Sequence, residues 1–146
     1  KYQNKRSYGQ IFAAEMERCC GGQVRRWEID EIMPVPLHPS RKRMRGYNQA
    51  EILASELSQR MGIPFKNNAL FRIRKTVPQK ELDDEERRQN LRGAFGVSAE
   101  WIPCRNVLLI DDIYTTGSTV ERCAKMLKKA GAQNVYFLTI SIGQGL

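Results

Sequence analysis

The amino-acid sequence predicts an α/β fold, with a mostly parallel central sheet flanked by helices. The four apolar residues Val107 to Ile110 predict a strand buried on both faces, as in parallel sheets. A polar turn and a helical pattern follow this strand, and Gly131 ends the helix. An earlier stretch, from Trp27 to Gly62, repeats the order of strand, polar loop and helix. Strands that alternate with helices in this way are typical of parallel sheets.

Length and composition limit the protein to one ordinary globular domain. The chain has 146 residues, of which 41% are hydrophobic and 27% are charged. A chain of this length buries enough surface for one core, so a single domain over residues 1–146 is predicted. No apolar run approaches the roughly 20 residues of a membrane span, and no signal peptide is recognisable.

The cysteines give no metal-binding pattern. The chain has four cysteines, Cys19, Cys20, Cys104 and Cys123, none of which forms a C-x-x-C pair. It has only one histidine. A zinc site is therefore not expected, and the favoured interpretation is reduced, partly buried thiols. Reduced thiols are typical of the cytoplasm, which is the predicted location.

The front of the chain predicts a helix and then a strand. Residues Ser7 to Cys20 have the pattern of a modest helix, and Gly21-Gly22 is expected to end it. The stretch from Trp27 to Val35 predicts a strand, and the prolines that follow mark its exit from the sheet because they cannot donate to a ladder.

A basic loop follows this first strand. Four cations, Arg41, Lys42, Arg43 and Arg45, precede Gly46, and the helix pattern of Ala50 to Met61 comes next, closed by Gly62. The planar guanidinium of arginine can donate two hydrogen bonds to one phosphate group, so this loop is a candidate site for pyrophosphate. The plainer interpretation is a solvated charge run.

The middle of the chain is polar. A short strand is predicted from Leu70 to Ile73, and residues 80–92 then mix both charges with little apolar content. A surface helix with ion pairs is the simpler interpretation of residues 81–90. The last predicted strand runs from Val135 to Ile140.

The turn after the strand Val107–Ile110 has the chemistry of a phosphate site. The first amides of a helix lack partners and attract anions. Gly117 allows a positive φ or a close approach of the backbone. Four hydroxyls surround it and can donate to phosphate oxygens: those of Thr115, Thr116, Ser118 and Thr119. We call residues 115–119 the phosphate loop.

Two acidic residues, Asp111 and Asp112, precede the phosphate loop. Their charge would repel a phosphate unless they contact something neutral or cationic. Ribose hydroxyls and hydrated Mg²⁺ both meet this requirement. The residues therefore predict a ribose 5-phosphate ligand with Mg²⁺ nearby. An acidic pair at a strand end also occurs in phospho-acceptor and nuclease sites, and a Thr/Ser/Gly run is often only a turn. The Walker motif G-x-x-x-x-G-K-[ST] is absent.

Residues 107–120 resemble the phosphoribosyl-pyrophosphate (PRPP) motif of type I phosphoribosyltransferases. The resemblance implies that Asp111 and Asp112 face the ribose hydroxyls, and hold Mg²⁺ through water, while the phosphate loop wraps the 5-phosphate. It also implies the type I phosphoribosyltransferase fold, in which a flexible loop closes over the site.

Further motifs resemble the ComF family, a branch of this fold tied to DNA uptake in bacterial competence. They are the Pro-Val-Pro-Leu-His run from Pro34, the run from Arg45 to Ala50, the run from Arg74 to Leu82, and the pattern of Arg87, Asn90 and Phe95. The resemblance implies pyrophosphate binding by Arg41, Arg45 and Gly46, and a flexible loop that includes Arg74, Thr76 and Gln79. ComF proteins usually carry an N-terminal zinc ribbon that has no counterpart here, so the chain is expected to be the portion with the catalytic fold.

For an active enzyme, the resemblance implies displacement of pyrophosphate from C1 of PRPP by a nitrogen nucleophile. The sequence identifies neither the acceptor base nor the oligomeric state, for which a homodimer is one option. The net charge of +8 is concentrated in residues 1–50, which have ten Lys and Arg against five acidic residues. Such a surplus suits a polyanionic partner. The alternative function is therefore a non-catalytic factor that binds single-stranded DNA through its basic N-terminal half.

Overall fold

A computed structural model of the chain describes residues 2–37, 39–73, 83, 85, 94–114 and 116–143, without the side chains of residues 2, 3, 39 and 41. The helices within these ranges are α1 (Tyr2–Arg26), α2 (Pro39–Arg45), α3 (Gln49–Met61) and α4 (Ser118–Ala130). The strands are β1 (Glu31–Pro34), β2 (Leu70–Arg72), β3 (Phe95–Val97), β4 (Asn106–Tyr114) and β5 (Asn134–Ile142). None of these helices combines the length and the apolar character that a membrane span needs.

The central sheet is parallel, as predicted, with the strand order β1-β4-β5. Pro34 at the end of β1 pairs with Ile110 of β4, which pairs in turn with Leu138 of β5. Helices cover both faces of the sheet, so β4 needs apolar residues at consecutive positions, and residues 107–110 are fully buried.

Alternate residues of the sheet enter two separate cores. Ile32 and Leu108 pack with α1 and α3, where Leu53 and Leu57 are fully buried. Met33 and Leu109 face the other way, toward α4 and the β2–β3 pair. Because burial of one such side chain contributes about 1.5–3 kcal/mol, these two layers hold the carboxyl ends of the strands in place.

Strands β2 and β3 form an antiparallel pair on the α4 side of the sheet. The strand near residue 70 was predicted, whereas β3 was not. Phe95 of β3 is buried, and the chain between the two strands holds most of the polar segment expected to act as a flexible loop. Of residues 74–93, only 83 and 85 belong to the described ranges.

The expected end of the first helix at Gly21-Gly22 is wrong, because α1 continues to Arg26. The helix packs along α3 and against the sheet through Ala13, Met16 and Val24, all of which are buried. This tertiary packing outweighs the cost of two helical glycines, which is roughly 1 kcal/mol each.

Two further boundaries differ from the expectation. Residues 39–45 form helix α2 and not a loop, with Pro39 at the first helical position, where its missing N–H has no helical partner to lose. Strand β4 does not end before the acidic pair but continues through it to Tyr114, because β5 continues to pair alongside it as far as Ile142.

Candidate functional site at the carboxyl edge of the sheet

The basic segment (Arg41 to Gly46) and the phosphate loop follow neighbouring parallel strands at the same edge of the sheet. The basic segment follows β1, the phosphate loop follows β4, and β1 and β4 are paired in parallel. Asn48 fixes the relation between the first segment and the sheet: its Nδ2 donates to the carbonyl of Val35 at 3.1 Å, and its Oδ1 accepts from the amide of Ala50 at 3.1 Å. This second bond caps α3.

The acidic pair lies on the last part of β4. Oδ1 of Asp111 accepts from the amide of Asp112, and Oδ1 of Asp112 accepts from the amide of Ile113, both at 2.9 Å. Each carboxylate is thus oriented by the backbone amide that follows it. Both side chains are half-buried, whereas Ile113 is half-exposed.

The pair concentrates negative charge at this edge. Burial raises the pKa of Asp111 to about 7, and the hydrogen bond and the charge of Asp112 contribute in the same direction. The hydrogen bond from the backbone of Asp112 and the charge of Arg72 act against this shift. A ligand that brings positive charge or hydroxyl donors would stabilise both carboxylates.

Arg72 is a site residue that the sequence reasoning did not single out. It lies on β2, its charge acts on both Asp111 and Cys123, and its guanidinium lies 4.9 Å from the ring centroid of Phe95. The available signal was an arginine inside an otherwise apolar strand, between Phe71 and Ile73. Such a position favours a specific partner over simple solvation.

Gly117 of the phosphate loop adopts the positive φ that was one of the two roles expected for it. Gly117 adopts a left-handed conformation with φ of 80° and precedes α4, and its carbonyl accepts from the amide of Glu121 at 2.8 Å. The hydroxyls of Thr116 and Ser118 are 2.9 Å apart and hydrogen bonded. The N-terminus of α4, with the loop residues 116–119, therefore faces the same edge as the acidic pair.

Tyr114 lies over the loop. A methyl group at Gly117 would lie 2.5 Å from the Tyr114 hydroxyl, so this position excludes a side chain for steric reasons as well as for its φ. The Tyr114 ring also stacks on Phe137 of β5, with ring centroids 5.4 Å apart. No local sequence pattern indicates this aromatic pair, because its members are 23 residues apart.

The basic segment presents charge at the surface. Arg45 and Gly46 are exposed, and Gly46 has φ of 79° with its amide donating to the carbonyl of Lys42 at 2.7 Å. Lys42 forms an ion pair with Glu51 at 2.9 Å. Arg43 and Arg45 have no ion-pair partner among the described residues.

The structure places the described candidates at one edge: Asp111, Asp112, Thr116, Gly117, Ser118, Thr119, Arg45 and Gly46. Other candidates lie outside the described residues, namely Thr115, Arg74, Thr76, Gln79 and the side chain of Arg41. The roles assigned to all of these residues remain predictions.

The acidic pair fits the requirements of a magnesium ion. Mg²⁺ binds one or two carboxylates, keeps several waters and takes its remaining ligands from substrate oxygens. Asp111 and Asp112 would supply the carboxylates, and a divalent cation would relieve the repulsion between their charges. Within the described ranges, no group of three or more His, Cys, Asp or Glu side chains is arranged to hold a metal.

The geometry agrees with comparisons of solved structures. The fold is similar to that of a purine phosphoribosyltransferase from Pyrococcus horikoshii, with a TM-score of 0.57 and 18% identity over 92% of this chain and 74% of that one. It is similar to an adenine phosphoribosyltransferase with a TM-score of 0.55 and 16% identity, over 98% of this chain and 72% of that one. These likenesses show the type I phosphoribosyltransferase fold.

Sequence relatives are more similar. The chain is 44% identical over 108 residues to competence protein F of Haemophilus influenzae, 36% identical over 106 residues to the DNA utilization protein YhgH of Escherichia coli K12, and 33% identical over 113 residues to competence protein ComFC of Streptococcus pneumoniae. These matches cover 73%, 73% and 77% of this chain, but only 47%, 46% and 48% of the relatives. The matched region thus spans about half the length of each relative.

A family model of the phosphoribosyl transferase domain matches residues 44–141, about two thirds of the chain, and includes both the acidic pair and the phosphate loop. The ComF resemblance seen in the sequence motifs is confirmed by the relatives named above. The chain therefore belongs to the phosphoribosyl transferase domain family, in the branch that includes competence protein F, ComFC and YhgH.

Proposed function

We propose that the protein binds PRPP, or another ribose 5-phosphate ligand, together with Mg²⁺, and that it acts in DNA uptake during natural competence. One observation carries the proposal: an oriented acidic pair lies in the last part of β4, and this strand is followed by a left-handed glycine and the N-terminus of α4. The DNA role rests on the names of the relatives, which describe competence and DNA utilization.

Each part of the ligand has a matching part of the site. The amides and hydroxyls of Thr116 to Thr119 bind the 5-phosphate, because the first turn of α4 concentrates positive partial charge there. Asp111 and Asp112 accept hydrogen bonds from the ribose hydroxyls. Arg45 binds the pyrophosphate, for which its exposed guanidinium is suited. Bound Mg²⁺ would neutralise part of the pyrophosphate charge.

As an enzyme, the protein would catalyse transfer of the phosphoribosyl group to a nitrogen nucleophile. The bond between C1 and the pyrophosphate oxygen breaks, a C1–N bond forms, the pyrophosphate leaves with the bonding electrons, and the nucleophile loses one proton. Positive charge develops on the ribose ring during this step. The acidic pair is placed to stabilise that charge, while Arg45 stabilises the leaving group.

Calorimetric titration of PRPP into the purified chain, with and without Mg²⁺, tests this proposal. We expect binding that requires Mg²⁺ and that is lost in Asp111→Asn/Asp112→Asn. The matched control is Glu15→Gln/Glu100→Gln, which removes the same charge from exposed positions on α1 and before β4. Absence of PRPP binding in the wild-type chain, or equal loss in the control, would contradict the proposed site.

A second candidate function, binding of single-stranded DNA, has a separate observation in its favour. Lys5 of α1 lies over the ring of Tyr47, with its Nζ 3.6 Å from the ring centroid, and Tyr47 follows the basic segment. Arg6, Lys42 and Tyr47 line a cavity of about 280 Å³, which also contains Glu56 and Glu51, the ion-pair partners of Arg6 and Lys42. Basic side chains around an aromatic ring are the combination that single strands bind, through phosphates and stacked bases.

Salt dependence separates the two functions. Binding of single-stranded DNA through Z phosphates gives a log–log slope near −0.7Z, whereas a pocket ligand responds more weakly. If DNA is a ligand, Arg43→Ala/Arg45→Ala should reduce both the affinity and the slope. DNA binding that is unchanged in this variant would exclude the basic segment as the DNA surface.

A further inference from the structure

A second cavity lies at the amino end of the central sheet, whereas the acidic pair lies toward the carboxyl end. The cavity has a volume of about 450 Å³, in the range of sites that bind small molecules. One of its lining residues is Glu31, the first residue of β1, which pairs with Val107 of β4. Asp111 lies further along β4, beyond Val107 by about 13 Å of strand. The amino-end cavity, as we call it, is therefore separate from the candidate site described above.

Hydrogen bonds hold the walls of the amino-end cavity in place. Nε1 of Trp101 donates to Oε2 of Glu31 at 2.9 Å, although these residues are 70 positions apart in the chain. The amide of Trp101 donates to the carbonyl of Ser98 at 3.1 Å, and the amide of Ser98 donates to the carbonyl of Ala69 at 2.8 Å. The indole ring therefore has a fixed position, which lowers the entropic cost of binding a ligand.

The charges that line the cavity differ in balance from those of the whole chain. Two carboxylates, those of Glu31 and Glu100, accompany one ammonium, that of Lys66, although the chain has a net charge of +8. Glu100 and Lys66 are exposed and form no ion pair with any of the described residues. This balance disfavours an anionic ligand and favours a neutral one that offers both donors and acceptors.

A guanine base matches this set of groups. Its N1–H and its exocyclic amino group are neighbouring donors on one edge of the ring, and a carboxylate can accept from both. Its O6 and N7 are acceptors, which an ammonium group contacts. Its flat face can stack on an aromatic side chain, as unpaired bases do in proteins. Adenine has an acceptor in place of the N1–H, so it would place a lone pair against the carboxylate.

We infer that the amino-end cavity binds the guanine base of a nucleoside. The base stacks on Trp101, its N1–H and amino group donate to the carboxylate of Glu100, and its O6 accepts from the ammonium of Lys66. The carboxylate of Glu31 is already bonded to Nε1 of Trp101, which leaves Glu100 as the acceptor for the base. The inference does not rest on the ligand proposed for the carboxyl edge, because the two sites share no residue.

Fluorescence titration with guanosine tests this inference, because the chain has only two tryptophans. Trp27 stacks on Tyr136 with ring centroids 4.4 Å apart and packs against the core that contains residues of α1 and α3. In Trp27→Phe, Trp101 is the only tryptophan, and guanosine should quench its emission with a saturable dependence on concentration. In Trp101→Phe, the emission of Trp27 should not change. Absence of quenching in Trp27→Phe would overturn the inference.

Glu100→Gln in the Trp27→Phe background tests the contact with the base. A glutamine amide keeps the shape of the side chain but cannot accept from both donors, so guanosine affinity should fall about tenfold. The matched control is Glu15→Gln, which removes an exposed carboxylate from α1 and should bind guanosine as its parent does. Adenosine should bind the parent about tenfold less tightly than guanosine. Equal affinity for the two nucleosides, or equal guanosine affinity in Glu100→Gln and its parent, would contradict the inference.

Two variants in the same background separate this site from the carboxyl edge. Asp111→Asn/Asp112→Asn should bind guanosine with the affinity of its parent, whether or not it binds PRPP. Glu100→Gln should bind guanosine weakly and leave PRPP binding unchanged. If the first variant loses guanosine and the second retains it, the base binds at the carboxyl edge and the inference is wrong.

Alkylation of the unmodified chain gives a further test that needs no variant. Cys104 lines the amino-end cavity, whereas Cys123 is buried on α4. Bound guanosine should therefore slow the modification of Cys104 more than that of Cys123. Equal slowing of the two thiols, or no slowing of Cys104, would contradict the inference.

Discussion

The phosphate loop and the basic segment follow neighbouring strands, β4 and β1, yet they offer binding groups of different kinds. The phosphate loop offers backbone amides and short hydroxyls, fixed by the left-handed Gly117 and by the start of α4. The basic segment offers long, exposed side chains on a short helix. Because the first site depends on backbone geometry and the second on flexible charges, substitutions should affect them differently.

The largest effect is expected from Gly117→Ala. A non-glycine residue at φ of 80° costs about 1–2 kcal/mol, and the added methyl would displace the Tyr114 ring. We expect PRPP affinity to fall at least 100-fold, about 2.7 kcal/mol, in calorimetric titrations. Gly22→Ala is the control, since it lies inside α1 with no atom within 4 Å of the added methyl and should stabilise the protein by about 0.5–1 kcal/mol. Wild-type affinity in Gly117→Ala would show that the loop backbone does not bind the ligand.

The second prediction concerns the support of the basic segment. Asn48 is only 7% exposed and makes hydrogen bonds to Val35 and Ala50, so Asn48→Ala should lower the free energy of unfolding by about 2–3 kcal/mol in urea denaturation. Asn48→Asp retains the helix cap but loses the donor to the carbonyl of Val35. Its unfolding free energy should therefore lie between those of the wild type and Asn48→Ala. If Asn48→Asp matches the wild type, the bond to Val35 contributes nothing to stability.

Arg45→Ala tests the basic segment itself, with a smaller expected effect. Loss of one exposed cation should weaken PRPP binding about tenfold at low salt, with a smaller difference at high salt because of screening. The effect of Gly117→Ala, by contrast, should persist at high salt. The unfolding free energy should change by less than about 0.5 kcal/mol, since Arg45 is exposed. Arg105→Ala, exposed at the opposite edge of the sheet, is the control and should leave binding unchanged.

The smallest effect should appear in cysteine reactivity, which reports on the helix behind the phosphate loop. Burial raises the pKa of Cys123 to about 12, so at pH 8 its thiol is far less ionised than an ordinary thiol. Alkylation followed by mass spectrometry should therefore modify the exposed Cys19 first. PRPP should slow the alkylation of Cys123 a few-fold further, because a ligand bound to the folded protein reduces the fraction of molecules in which α4 opens and exposes this thiol.

Cys104, at the other end of β4, is the internal control for that experiment. Burial and then the charges of Glu31 and Asp30 raise its pKa to about 12, and PRPP should not change its alkylation rate beyond the general effect on unfolding.

The raised pKa values of Cys104 and Cys123 also affect the pH dependence of stability. Above pH 9 the unfolded chain loses these thiol protons while the folded chain keeps them, so the unfolding free energy should fall between pH 9 and pH 12.

Local patterns predicted the parts of the fold in which propensity and packing agree. The helix of Ala50 to Met61 ends at Gly62 as expected, and Gly62 has φ of 67°. The amphipathic pattern that starts at Val120 lies within α4, and Gly117 has the predicted positive φ. In these places a glycine or a periodic apolar face is sufficient to determine the structure.

Two of the three wrong boundaries share a physical cause. Gly21-Gly22 does not end α1, because α3 and the sheet bury the helix on both sides of it. The strand β4 continues through Asp111 and Asp112 because β5 supplies a partner there. The basic run at residues 39–45 is helical although most of its described side chains are exposed. In the first two cases the boundary depends on packing or pairing with a neighbouring element. A local sequence pattern carries no information about that neighbour.

The sequence by itself determined which chemical groups are grouped together: an acidic pair, a hydroxyl-rich glycine loop and a basic segment, each at or after the carboxyl end of a strand. These features depend on residues close together in the chain. The tertiary structure alone decided that Arg72 acts on Asp111, that Tyr114 stacks on Phe137, and that β4 pairs with both β1 and β5. Such contacts join residues far apart in sequence, and they exist only once both cores have set the order of the strands.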